Sequence, residues 1–144
     1  MNPSQNCINI IKKFEGCRLK AYKCPAGLWT IGYGNTQWQD GQSVKEVQEL
    51  SLYKAESLLT FYVNKFASQI NLAVNQNQFD ALVSFAYNTG IGAFNKSTLK
   101  KMVIANPGNP LIKDEFLKWV AKGSNYEKGL SKRRTEESNL YFKI

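Results

Sequence analysis

Glu15, Cys17, Cys24 and Thr30 fall within one stretch, EGCRLKAYKCPAGLWTIGYGNT, running from Glu15 to Thr36. A carboxyl, two thiols and a hydroxyl so close together are ingredients of acid–base or nucleophilic chemistry. The chain has no histidine, which excludes imidazole metal sites and Ser-His or Cys-His pairs. Proton transfer falls to carboxylates, thiols, lysine or tyrosine. Glu15 is the leading acid–base candidate, because Phe14, Leu19, Tyr22 and Trp29 around it would strip water from the carboxyl and favour its protonated form. Cys24 sits between Lys23 and Pro25, a setting that promotes thiolate character. Thr30 could hold a water by its hydroxyl, although a strand threonine also serves β propensity. The cysteines match no zinc spacing, and their odd number, 3, leaves at least one thiol free.

These groups need elements to position them. Ser4 to Phe14 reads as a helix with Ile8 and Ile11 on one face and Lys12 and Lys13 late, where cations suit the dipole. Gly16 ends it, which places Glu15 where helix gives way to hairpin. Leu19–Tyr22 and Leu28–Tyr33 alternate as two strands around a Pro25-Ala26-Gly27 turn. From Ser43 the pattern turns helical, with Ser43-Val-Lys-Glu46 fitting a capping box. The set Leu52, Ala55, Leu58, Leu59, Tyr62, Val63, Phe66 and Ile70 continues it as one long core helix. Further helices are predicted over Gln78–Asn88, Ser97–Ala105, from Asn109 as N-cap to Gly123 as terminator, and Ser131–Phe142. The fold class is α+β, mostly α. Residues 1–144 form a single domain, with a hairpin lobe at about 15–50, and a helical lobe at about 70–144 plus the N-terminal helix.

The composition, 43% hydrophobic and 21% charged, is that of a soluble globular chain. No apolar run approaches the roughly 18 residues of a membrane span, and the N-terminus lacks the basic start and apolar core of a signal peptide. The net charge of +8 predicts a polyanionic partner: nucleic acid, an anionic membrane or a charged cell wall. No interleaved basic and aromatic motif supports nucleic acid.

The pattern Glu-x8-(Asp or Cys)-x5-Thr within that first stretch resembles the phage-type lysozymes, the endolysins related to the lysozyme of T-even phages. The likeness continues through Asn75–Leu82, Phe85-Ala-Tyr-Asn88-Thr-Gly90, Ser97-Thr98-Leu99 and Gly129–Glu137, and so covers essentially the whole chain. It implies a two-lobed lysozyme-like fold, with the small hairpin lobe and the larger helical lobe joined by the long helix and a cleft between them. It also implies hydrolysis of the β-1,4 bond between N-acetylmuramic acid and N-acetylglucosamine in peptidoglycan, leading to host cell lysis. By the same resemblance Glu15 matches the general acid, Cys24 the second catalytic position and Thr30 the third. Tyr22, Asn88, Thr89 and Gly90 would line the cleft, and Arg133 or Arg134 would be the cationic partner of Glu15. No metal or other cofactor is expected.

Two departures from the family pattern stand out. Cys24 occupies a position where Asp is frequent, and Asn35 replaces a histidine in the Gly32-Tyr-Gly-Asn35-Thr36 segment. The family leans to inversion, and Cys24 could attack the sugar, activate water or orient it. Cys17 is a possible redox partner for Cys24, a disulfide that would remove the catalytic thiol. The competing function is a catalytically impaired module that binds peptidoglycan or a partner protein. A third is a lysozyme-fold effector secreted against competing bacteria. The endolysin reading places a monomer in the host cytoplasm after synthesis, reaching the wall once a holin permeabilises the membrane.

Overall fold

The computed structural model describes residues 1–144. In chain order it comprises α1 (Gln5–Glu15), β1 (Arg18–Lys23), β2 (Trp29–Gly32), α2 (Leu52–Ser68), α3 (Gln76–Thr89), α4 (Ile91–Lys96), α5 (Thr98–Ala105), α6 (Ile112–Leu117) and α7 (Glu127–Tyr141). The two strands form one antiparallel hairpin, with Arg18 opposite Gly32, Tyr22 opposite Thr30 and Lys23 opposite Trp29, and a bulge between Arg18 and Tyr22. This is the mostly helical, two-lobed architecture expected: a hairpin lobe, the seventeen-residue α2, and a helical lobe.

The helical lobe is organised around α3, which packs against α7, α1, α2 and α4. Every residue from Phe79 to Ala86 is buried, so this stretch of the helix is enclosed on all sides rather than along one face. Asn75 and Gln78 close the start of α3 with a capping box. Buried Asp80 reaches back to α1, accepting from the Ser4 amide at 2.9 Å and from the Ser4 hydroxyl. With Cys7 and Ile11 of α1 fully buried, both ends of that short helix are fixed, and so is the place where Glu15 emerges. Gly16 stops α1 at φ +67°, its amide donating to the Lys12 carbonyl at 3.0 Å.

Four features depart from the sequence reading. Ser43–Ser51 is not helical, and α2 begins only after Ser51, whose hydroxyl accepts from the Lys54 amide at 3.2 Å. The Ser43 segment instead completes the hairpin lobe. Ala21 donates to the Gln48 carbonyl and Leu50 to the Leu19 carbonyl, both at 2.9 Å, along the free edge of β1. Pairing with an exposed strand edge outweighs a local capping signal. The helix predicted from Asn109 to Gly123 is only α6, because the Trp119 carbonyl is taken by Arg134 Nε at 3.0 Å and Ala121 adopts φ +49°. Finally, α7 starts at Glu127, ahead of Ser131, and α4 follows Gly90 directly where only a turn was expected.

Candidate active site

Glu15 is the last residue of α1 and faces the first half of α7. Its Oε2 accepts from Arg133 Nη1 at 2.8 Å, with the Arg133 side chain 3% exposed and that of Glu15 18%. The sequence left two arginines as partners; the structure gives Glu15 to Arg133. Arg133 also donates through Nε to Glu137 Oε2 at 3.2 Å and through Nη2 to the Ser84 carbonyl at 3.1 Å. Glu137, fully buried, accepts from the Ser84 hydroxyl at 2.6 Å and from Arg134 Nη1. Arg134 continues the chain to Asn88 Oδ1. Two carboxylates and two guanidinium groups thus interlock across α1, α3 and α7, each buried charge meeting an opposite one. Burial works against the Arg133 cation, yet Glu137 and Glu15 outweigh it and stabilise the charged form. At Arg134 burial prevails over Glu137, and the shift is downward.

Gly34 closes the site from the hairpin side. It sits at φ +75°, and a Cβ there would lie 2.5 Å from Glu15 Oε1. The glycine therefore serves both the turn and the carboxyl lying against it. Asn35, 6% exposed, holds that turn. Its Oδ1 accepts from the Tyr33 amide at 3.3 Å and its Nδ2 donates to the Tyr87 hydroxyl at 3.0 Å, which donates to the Tyr33 carbonyl at 2.6 Å. An uncharged amide satisfies this position without an acid partner.

Across the hairpin, Thr30 lies opposite Tyr22 and is 2% exposed, its hydroxyl donating to the Leu28 carbonyl at 3.0 Å. Cys24 follows β1 at the turn and is partly exposed. Burial pushes its thiol up, but hydrogen bonding at the turn, from the Leu28 backbone first, with the Thr30 side chain and the Ala26 backbone contributing, brings it below the ordinary cysteine value. Tyr22 is pushed up, first by burial and then by the negative charge of Glu15, with a smaller push from Cys24. Tyr22, Glu15, Cys24 and Thr30 therefore share one electrostatic neighbourhood. The Arg18 guanidinium lies 4.8 Å from the centre of the Tyr22 ring.

Beside Glu15 opens a cleft of about 550 Å³ lined by Phe14, Pro25, Asn88, Tyr126, Leu130 and Arg133 among others. Asn88 is at its wall, as expected. Thr89 and Gly90 are not among its lining residues, nor are Tyr22, Cys24 and Thr30. The Thr89 hydroxyl turns back to the Phe85 carbonyl at 3.0 Å, and Gly90 caps α3 through its amide to the Ala86 carbonyl at 2.8 Å.

The Cys17–Cys24 disulfide is not formed in this structure. All the cysteines are free, and these two flank opposite ends of β1. At about 3.3 Å per strand residue they stand roughly 20 Å apart, against the 7 Å or so that a disulfide tolerates. Cys17 instead faces Tyr33, where its influence adds to burial and Glu56 in raising the phenol. Cys7 is fully buried, and burial followed by the charges of Asp80 and Glu137 pushes its thiol far up.

Sequence reasoning gave Glu137, Ser84, Gly34 and Tyr87 no role at the site. Only Glu137 carried a signal, its i+3 and i+4 spacing from Arg134 and Arg133 on one helix.

The profile of the phage lysozyme family matches residues 12–137. The chain belongs to that family. It is 45% identical to an endolysin of Bacillus phage B103 over 98% of its own length, and spans about half of that relative, 54%. With the endolysin of Salmonella phage P22 it shares 36% identity over 96% of this chain and 97% of the relative. A solved endolysin from Escherichia coli O157:H7 phage FAHEc1 superposes with a TM-score of 0.84 at 37% identity, covering 99% of this chain and 94% of that one. In this phage lysozyme family member the matched span takes in the Glu15–Arg133 pair, the hairpin and Glu137.

Proposed function

We propose that the protein is an endolysin muramidase that hydrolyses the β-1,4 bond between N-acetylmuramic acid and N-acetylglucosamine in bacterial peptidoglycan. The observation that carries this reading is Glu15, held at a helix end by buried Arg133 in the wall of a cleft that Pro25, at the turn next to Cys24, also lines. Inverting glycoside hydrolysis requires a carboxyl that protonates the leaving oxygen and a second group that activates water on the other face of the ring.

Glu15 donates its proton to the glycosidic oxygen as the bond from C1 breaks, the electron pair leaving with that oxygen. Arg133 fixes the carboxyl through Oε2. Cys24 and Thr30 hold a water on the opposite face of the ring. The water oxygen adds to C1 while its proton passes to the Cys24 thiolate, a form that the hydrogen bonds at this turn favour. The product is inverted, and both groups regain their starting protonation from solvent. Tyr22 and Asn88 contact the glycan strand. The protein works as a monomer, is made in the host cytoplasm, and reaches the wall after a holin-type partner has opened the membrane. No helix is long and apolar enough to cross one. The net charge of +8 draws the protein to the anionic envelope.

The test is clearance of purified cell walls by the wild type, Glu15→Gln, Cys24→Asp and Cys24→Ala. Loss of the acid should lower the rate by about 10²–10⁴-fold, Asp should preserve activity, and Ala should lose most of it. A wild type no faster than Glu15→Gln would mark the chain as a binding module instead.

A further inference from the structure

The polar chain that begins at Glu15 ends at Asn88, and its last link has a chemical consequence. Arg134 is fully buried, and its donors are directed by three fixed acceptors: the Trp119 carbonyl at 3.0 Å, Glu137 Oε1 and Asn88 Oδ1. Its guanidinium also lies 4.8 Å from the centre of the Phe85 ring, so the plane cannot rotate freely. A guanidinium offers hydrogens and no acceptor. The Asn88 atom against it must therefore be the carbonyl oxygen, and the planar amide then points Nδ2 away from Arg134. Asn88 lines the same cleft as Glu15 and Arg133, its side chain is exposed there, and its Nδ2 makes no hydrogen bond within the protein. Every buried polar side-chain atom has a partner, so this open donor is a property of the cleft wall.

We propose that Arg134 is a positioning residue that locks the Asn88 amide in one orientation, making Asn88 an obligate hydrogen-bond donor. It reads an amide carbonyl oxygen of the glycan strand next to the scissile bond. The inference rests on the muramidase reading and deepens it, since a free asparagine can flip to meet a donor or an acceptor. An amide clamped by a buried arginine donates to substrate oxygens only. Two carbonyls on such a strand have this chemistry: the acetamido group of a sugar, and the amide joining the lactyl arm to the stem peptide.

The experiment compares wild type, Asn88→Asp, Asn88→Ala, Arg134→Lys and Arg134→Lys/Asn88→Ala. It measures KM and kcat on soluble peptidoglycan strands, and Kd for an N-acetylglucosamine oligomer, with thermal midpoints as the folding control. Wild-type turnover tests the muramidase reading separately; the differences among variants test the inference. Asn88→Asp still accepts from Arg134 but presents a second acceptor to the cleft. It should raise KM about tenfold, the size of one hydrogen bond, with kcat little changed. Arg134→Lys should raise KM as Asn88→Ala does, and the double variant should be no worse than either. A matching loss on the oligomer assigns the acetamido carbonyl, whereas a loss confined to peptidoglycan strands assigns the lactyl amide. Wild-type KM and Kd in Asn88→Asp would overturn the proposal, as would additive effects in the double variant. If Arg134→Lys does not fold, the contrast between Asp and Ala at position 88 decides alone.

Discussion

The placement of the Glu15 carboxyl depends on a residue with no side chain. A Cβ at Gly34 would lie 2.5 Å from Glu15 Oε1, at a backbone φ of +75°, so Gly34→Ala combines a left-handed strain of about 1–2 kcal/mol with displacement of the carboxyl. Misplacing a catalytic group by about 1 Å costs on the order of 10²-fold in rate. We therefore expect Gly34→Ala to lower wall clearance by roughly that factor while the urea midpoint falls only modestly. Equal activity at reduced stability would show that the carboxyl tolerates another position. The glycine was visible in the sequence only as part of a Gly-rich turn, because its near neighbour lies across the fold. Cys24 was the reverse. Its identity was plain, but the hydrogen bonds that favour its thiolate come from Leu28, Thr30 and Ala26 and required the hairpin register. Cys17 read as a partner by proximity in sequence; an extended strand carries the two sulfurs apart.

At the scale of elements, the residues between the hairpin and α2 show how a strong local signal loses. Ser43 begins a sequence suited to an N-cap, whereas Ser51 carried no such reading. Only Ser51 caps a helix, accepting from the Lys54 amide, since the earlier segment is spent pairing with β1 through Gln48 and Leu50. Ser51→Ala should cost about 1 kcal/mol of unfolding free energy in urea melts. Ser43→Ala should stay within about 0.5 kcal/mol; similar losses at the two positions would contradict this assignment. Helices α1 and α5 and the body of α2 were legible in the sequence, whereas the start of α2 at Ser51 was not. The early stop of α6 and the early start of α7 were not, since both follow from the buried Arg134 and its hold on the Trp119 carbonyl. The site was legible as a set of residue types on named elements. The network joining Glu15 to Asn88 through Glu137 was not, because it is made of contacts between α1, α3 and α7.

Taken whole, the molecule is a basic shell around a core in which aromatic and ionic groups are shared between helices. Tyr141, nearly fully buried, donates to the Pro107 carbonyl at 2.7 Å, and burial pushes its phenol up to about 12. Tyr33 and Tyr87 move the same way, burial leading in each. A phenol raised above its unfolded value of ~10 contributes stability that is intact below that pH and lost as pH climbs through the folded value. The urea midpoint should thus stop depending on Tyr141 ionisation below about pH 10 and fall between about 10 and 12, with a shallower fall in Tyr141→Phe. An identical fall in the variant would place the titration elsewhere. The central claim, that Glu15 and the hairpin make this phage lysozyme family member a muramidase, meets its most direct test in mass analysis of the fragments released from purified peptidoglycan. The account predicts disaccharide-peptides ending in reducing N-acetylmuramic acid, absent with Glu15→Gln. Fragments ending in reducing N-acetylglucosamine, cleaved stem peptides, or unchanged products from Glu15→Gln would contradict it.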